Sequence, residues 1–189
     1  MEFKSLIKKR ASVRKFMPKR PDWRLVVQAI DAARYVPLAG NMMNFKFVLV
    51  SDKDKIEKIK QASQQGFVGD VHYVVVMISD DKRLVESYEK RGEKFARQQS
   101  GAAIQNFLLA LTDLGLATCW VGYLDESCVK RELNIPEELV VEAIFPIGKA
   151  AAGAKKHPRR KKDLDNILYF EKWKNKYKEP KTLMRKRDV

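Results

Sequence analysis

The sequence predicts an α+β domain in which a small sheet is covered by helices. Residues 73–78, Tyr-Val-Val-Val-Met-Ile, are apolar without interruption, which is the pattern of a strand covered on both faces. Residues 99–115 place Ala102, Ala103, Ile104, Phe107, Leu108, Ala110, Leu111 and Leu114 around most of a helical circumference. A helix apolar nearly all round is buried in a large core or an interface, and in a chain of 189 residues an interface is expected. Helical and extended patterns alternate along the chain without internal repeats, as in a mixed sandwich.

The elements follow in order. Residues 2–9 carry Phe3, Leu6 and Ile7 on one helical face. Asp22 is placed to cap a helix that carries Trp23, Val26, Val27, Ile30 and Ala33, with Pro37 as its stop. Residues 45–50 read as a strand, 52–64 as a short charged helix, and 73–78 as the buried strand. Residues 81–98 read as an exposed charged helix, followed by the separate apolar helix over 99–115 that Gly115 closes. A short strand over 118–121, a helix over 126–133 and a strand over 139–147 complete the core pattern. Composition changes after about Trp173, dividing the chain into a domain over 1–173 and a basic tail over 174–189.

Composition narrows the function classes. A chain of this length buries a substantial core alone, and 45% hydrophobic residues is ordinary for a globular protein. No stretch is apolar and long enough to cross a bilayer, and the first residues lack the charged-then-apolar order of a secretory signal. Cys119 and Cys128 are too few for a disulfide framework, so reduced thiols and a cytoplasmic location are expected. His72 and His157 lack a second ligand at metal spacing, so no metal site is expected. The net charge of +14 is uneven, with +9 of it from Lys155 onward. Such a tail is either a solvated Lys-rich face or an arm for nucleic acid, with Trp173 and Tyr177 interleaved as stacking groups.

The chemistry begins at Arg10-Ala-Ser-Val-Arg-Lys-Phe16. In an extended stretch alternate residues point the same way, so Arg10, Ser12 and Arg14 can converge on one anion. Two guanidinium forks and a hydroxyl suit a phosphate group, although the same residues also suit a basic helix end on the surface.

Taken with Val36-Pro-Leu-Ala-Gly-Asn41, Ala102-Ala-Ile-Gln-Asn-Phe-Leu-Leu-Ala110, Leu114-Gly-Leu-Ala-Thr-Cys-Trp-Val-Gly122, Phe145-Pro-Ile-Gly148 and Leu164–Trp173, this motif resembles the nitroreductase family of FMN-dependent oxidoreductases. The resemblance runs over roughly residues 3–173. It implies a three-layer sandwich around a small mixed or antiparallel sheet, and an obligate homodimer with two FMN sites at the subunit interface. It places Arg10, Ser12 and Arg14 at the flavin phosphate and pyrimidine edge, with Arg159 and Lys161, or Arg160 in place of either, closing over the phosphate. Asn41 and Gln65 fall near the isoalloxazine, where an amide offers both donor and acceptor. Gly122 and Tyr123 bring backbone N–H groups toward N5 and O4. Asn41 after Gly40 also suits a simple turn, and Gln65 an exposed loop.

The activity implied is hydride transfer from NAD(P)H through flavin N5 to a nitroaromatic, quinone or similar acceptor, with ping-pong kinetics. The cofactor carries the chemistry, so no residue is assigned as catalytic acid, base or nucleophile. The family's Pro-Ser-x-x-Asn-x-Gln-Pro-Trp is replaced here by Pro37-Leu-Ala-Gly-Asn-Met-Met-Asn-Phe45, which puts Leu38, Met43 and Asn44 at changed positions beside the expected substrate pocket. Two other classes remain open at this point. They are a nucleic-acid-binding protein acting through the tail, and a flavin-binding or storage protein without turnover.

Overall fold

The computed structural model describes residues 2–154, 163–179 and 182–183. Its contacts divide the chain into two compact units, Met1–Lys156 and His157–Val189.

In the first unit the continuously apolar strand organises the fold. β2 (Tyr73–Ser79) is buried at every position, and its side chains divide by parity. Tyr73, Val75 and Met77 join one hydrophobic cluster, whereas Val74, Val76 and Ile78 join another. That is the two-residue period of a strand with a core on each face. β2 pairs antiparallel with β1 (Phe45–Val50) and with β4 (Val140–Gly148), and β4 pairs antiparallel with β3 (Ala117–Thr118), giving the order β1-β2-β4-β3. On one face α2 (Trp23–Ala33) and α5 (Lys90–Asp113) supply Val26, Ala29, Ala33, Ile104 and Phe107. The Phe107 ring meets Phe145 of β4 edge-on at 5.4 Å. On the other face α3 (Lys53–Ser63) and α6 (Glu126–Leu133) supply Ile56, Ile59 and Val129. The result is the α+β three-layer sandwich expected from the sequence.

Local chemistry fixes the helix ends. Asp22, Asp52 and Asp125 accept from the backbone N–H of Arg24, Lys55 and Cys128 at 2.9, 3.0 and 3.1 Å, capping α2, α3 and α6. At the end of α5 Gly115 takes φ +73°, so that its N–H reaches Thr112 O at 3.3 Å and the Leu116 N–H reaches Leu111 O at 2.8 Å. This Schellman arrangement requires a left-handed residue, and glycine adopts one without strain.

Two expectations change. The charged and apolar helices do not meet at residue 99. Instead α4 (Lys82–Tyr88) stops at Glu89, whose φ of 50° and ψ of −135° break the helix, and α5 then runs unbroken for 24 residues. The break lets α4 fold back onto α5 at Gly92, where a Cβ would lie 2.3 Å from Leu84 O. The strand expected over 118–121 is reduced to Ala117–Thr118, with Val121 joined to Ile144 by an isolated bridge. The apolar face of α5 is satisfied within its own chain: Ile104, Phe107, Leu108 and Leu111 are at most 4% exposed. Ala102, Leu109 and Ala110 of the same helix, and Leu114 at its C-cap, stay half-buried in the single chain.

In the second unit a hairpin pairs Tyr177–Glu179 with Thr182–Leu183. Tyr169 packs against Trp173 at 4.5 Å between ring centroids, with Lys176 Nζ 4.1 Å from the Tyr169 ring. Among the described residues no helix is long and apolar enough to cross a membrane.

Candidate functional site

Residues 11–17 run extended along the edge of the sheet. Ser12 forms a parallel bridge with Thr118, the Val13 N–H donates to Thr118 O at 2.9 Å, and the Met17 N–H donates to Lys149 O at 2.8 Å. α1 (Phe3–Lys9) ends immediately before this run, with Arg10 as its C-cap residue. Along the run Val13 and Phe16 are buried, Arg10 and Ser12 are half-buried, and Arg14 is exposed. The pattern puts Ser12 and Arg14 on the side opposite Val13.

The convergence of the three predicted residues is visible at the buried Cys119. Burial pushes its thiol up from the usual range. The positive charge of Arg14, hydrogen bonding from Ser12 and Arg14, and the charge of Arg10 all act against that rise. One spot on the protein thus feels both guanidinium groups and the hydroxyl together. Arg14 also lies over the Phe67 ring at 5.9 Å. Phe67 belongs to the short helical turn Gly66–Asp70, for which Gln65 is the N-cap residue. The exposed Gly122 and Tyr123 enter the same region, because the Asp125 N–H donates to Ala62 O at 2.8 Å just before Gln65. Thr118 Oγ1, across the bridge from Ser12, is buried and has no hydrogen-bond partner among the described residues.

Asn41 lies elsewhere. It sits with φ 56° in a short turn, Ala39–Asn41, at the far end of the sheet: Phe45 is in register with Ser79, and the Asp80 N–H donates to Asn44 O at 2.7 Å. Thr118 is instead in register with Ile147, which faces Tyr73. Tyr73 and Ser79 are six residues apart in a strand, or roughly 20 Å. The two regions also lie on opposite faces of the sheet. Leu38 packs with the cluster under α2 and α5, whereas Cys119 and Phe67 belong to the cluster under α3 and α6. One chain therefore assembles Arg10, Ser12, Arg14, Gln65, Gly122 and Tyr123 in one region and leaves Asn41 remote from them. Arg159, Lys161 and the alternative Arg160 lie outside the described residues.

The structure also adds residues that the sequence did not single out. Gln99 of α5 is buried and holds the Asn41 turn, accepting from the Ala39 N–H at 3.1 Å and donating to Met42 O at 2.9 Å and Asn44 Oδ1 at 2.5 Å. Asn44, expected beside the substrate pocket, is itself buried and donates to Asp81 at 3.4 Å. Asp81 and Glu142 are both paired with Arg97. A cavity of about 410 Å³ opens beside this turn between Pro37, Leu38, Phe95, Gln98 and Ala102. A charged cleft of about 1160 Å³ around Arg97 and Glu138 includes none of the predicted site residues.

The nitroreductase family model matches residues 7–68 and 60–149, covering both regions. A Methanothermobacter thermautotrophicus protein named as a candidate NADH dehydrogenase or NAD(P)H nitroreductase is 28% identical over 178 residues, which span 92% of this chain and 88% of that protein. A nitroreductase family protein of Clostridium novyi NT superposes with a TM-score of 0.74 at 28% identity over 93% of this chain and 96% of that one. An FMN-dependent nitroreductase of Clostridium difficile R20291 superposes with a TM-score of 0.75 at 20% identity over 89% of this chain and 98% of that one, which speaks to the fold. With the family model spanning the extended basic segment, the Asn41 turn and the whole central sheet, this chain belongs to the nitroreductase family.

Proposed function

We propose that the protein is an FMN-dependent NAD(P)H oxidoreductase that acts as a homodimer on small electron acceptors in the cytoplasm. The observation that carries this reading is the extended segment bearing Arg10, Ser12 and Arg14, pinned along Thr118 by the Ser12 bridge and the Val13 N–H bond. The donor set fits the phosphate of FMN. Two permanently charged guanidinium groups match a dianion, and charge-assisted bonds are the strong ones. The hydroxyls of Ser12 and of the buried, unpartnered Thr118 add neutral donors at the same edge.

The chemistry that FMN supplies when bound is two-electron transfer from NAD(P)H to a nitroaromatic, quinone or similar acceptor, in alternating half-reactions. The residues of this chain bind and orient. Arg10 and Arg14 hold the phosphate end, and Arg159 and Lys161 are assigned to the same charge. Gln65, with the Gly122 and Tyr123 backbone, is assigned to the polar edge of the ring, where N–H donors favour negative charge developing on the ring oxygens. Buried and neutral, Cys119 takes no part as a nucleophile.

The position of Asn41 supports the dimer. At the opposite end of β2 from the cradle and on the other face of the sheet, it serves a flavin bound by a second chain rather than by its own. In a mixed dimer of Arg14→Ala and Asn41→Ala chains, such sharing leaves one site intact and one doubly altered. If Asn41 instead serves its own chain, both sites are singly altered and no intact site appears.

The turnover claim is tested by varying NADH against several fixed concentrations of a quinone or nitroaromatic. Parallel double-reciprocal lines are expected. Intersecting lines overturn the alternating mechanism, and absence of turnover in the flavin-loaded protein favours storage.

A further inference from the structure

Asn41 occupies the second of two consecutive left-handed positions, after Gly40 with φ 56° and ψ 23°. The chirality of an L residue disfavours this conformation, so the surroundings must hold it. Backbone bonds from the Asn41 N–H to Leu38 O at 3.2 Å and from the Met42 N–H to Ala39 O at 3.0 Å close the turn, and one side chain spans it. Gln99 grips both ends of the turn, taking the Ala39 N–H on its oxygen and giving its two amide hydrogens to Met42 O and Asn44 Oδ1. Those two bonds exhaust its donors. Asn44 extends the grip to Asp81, and its backbone ties the loop to the end of β2. Gln99 faces the turn from a helix whose neighbouring Ala96, Ser100 and Ala103 are buried, so it has little freedom to move.

The geometry points to Gln99 as the positioning residue that sets the conformation of Asn41, and thereby its contact with the flavin of the second chain. This rests on the reading of Asn41 given above. Gln99 is only 4% exposed, so its influence passes through the turn. Asn44 acts in the same way at one remove. Two of the positions where this chain departs from its family's loop pattern thus differ in kind: Asn44 is an inward anchor, whereas Met43 is half-exposed.

The test is a double-mutant cycle read by FMN affinity of the flavin-depleted full-length protein, using flavin fluorescence, together with the visible spectrum of the bound flavin. Gln99→Leu keeps a side chain of roughly similar bulk but removes all three bonds. It is expected to weaken FMN binding by about tenfold and to shift the flavin absorption band. In an Asn41→Ala background the same change should cost less than about twofold, because the residue through which it acts is gone. Equal losses in both backgrounds mean a purely structural role and overturn the inference. If Gln99→Leu does not fold, Asn44→Ala decides. A smaller loss that likewise vanishes in the Asn41→Ala background supports the inference, and a loss independent of Asn41 overturns it. Arg14→Ala is titrated alongside. If it weakens FMN while Asn41→Ala does not, the inference fails and the flavin reading stands; if neither has an effect, the flavin reading has failed and carries the inference with it.

Discussion

Removing Arg14 separates the two jobs an exposed arginine can do. In the chain alone its structural contacts are the neutral Cys119 thiol and the Phe67 ring at 5.9 Å, the latter an exposed cation–π pair worth about 0.5–1 kcal/mol. Arg14→Ala should therefore change the stability of the flavin-depleted protein by no more than about 1 kcal/mol. Against a phosphate dianion the same side chain supplies charge-assisted hydrogen bonds, and each is worth about 1.5–3 kcal/mol. That translates into an FMN dissociation constant raised by about 10- to 150-fold. The thermal shift given by a fixed excess of FMN should fall correspondingly, since ligand stabilisation follows the logarithm of concentration over Kd. Fluorescence titration of FMN into wild type, Arg10→Ala, Arg14→Ala and Lys46→Ala measures this. The exposed Lys46 controls for the loss of one positive charge at a position on β1, away from the segment 10–14. Unchanged affinity in both arginine variants, or an equal loss in Lys46→Ala, would refute the phosphate assignment.

Other outcomes follow from the packing. Phe107→Ala, made between the Phe47 and Phe145 rings, should cost about 3–5 kcal/mol in urea denaturation of the single chain; a loss of dimer alone, with unfolding unchanged, would move Phe107 from the core to the interface. Gly92→Ala pushes a methyl against the backbone of α4, with Leu84 O 2.3 Å from the new Cβ, and should destabilise by about 1–3 kcal/mol or more while a stabilised variant would contradict the close approach. Burial raises the Glu126 carboxyl, but the Val141 N–H and Lys130 outweigh it and hold it below the usual range, so its contribution is present above its unfolded value and is lost as pH falls through the folded one. Melting temperature measured from neutral to acid pH should accordingly fall less steeply in Glu126→Gln than in wild type, and identical acid arms would refute the assignment.

Local signals made much of this fold legible. Residues 45–50 and 126–133 form the expected strand and helix because each carries its own periodicity and, for α6, its own Asp125 cap. The extended run at 10–16 was legible from the spacing of its basic and hydroxyl residues. Its docking on Thr118 depends on a contact more than 100 residues away, which no local pattern encodes. The break at Glu89 was hidden for a related reason: a left-handed, non-glycine residue there is imposed by α4 folding onto Gly92, and the surrounding charges continue a helical pattern across it. Gln99 was missed because a polar residue at the end of a charged stretch reads as solvent-facing, and Asn44 was placed beside the substrate pocket rather than inside the fold. Only the assembled core shows that they are buried against each other.

The central claim is that one chain's Arg10, Ser12 and Arg14 hold an FMN that NAD(P)H reduces. Its most direct measurement is the visible spectrum of the FMN-reconstituted protein before and after anaerobic NADH or NADPH. A flavin band near one equivalent per chain that bleaches on addition and returns with a quinone is the predicted result; a protein that takes up no FMN, or whose bound flavin stays oxidised with both nicotinamides, would contradict it.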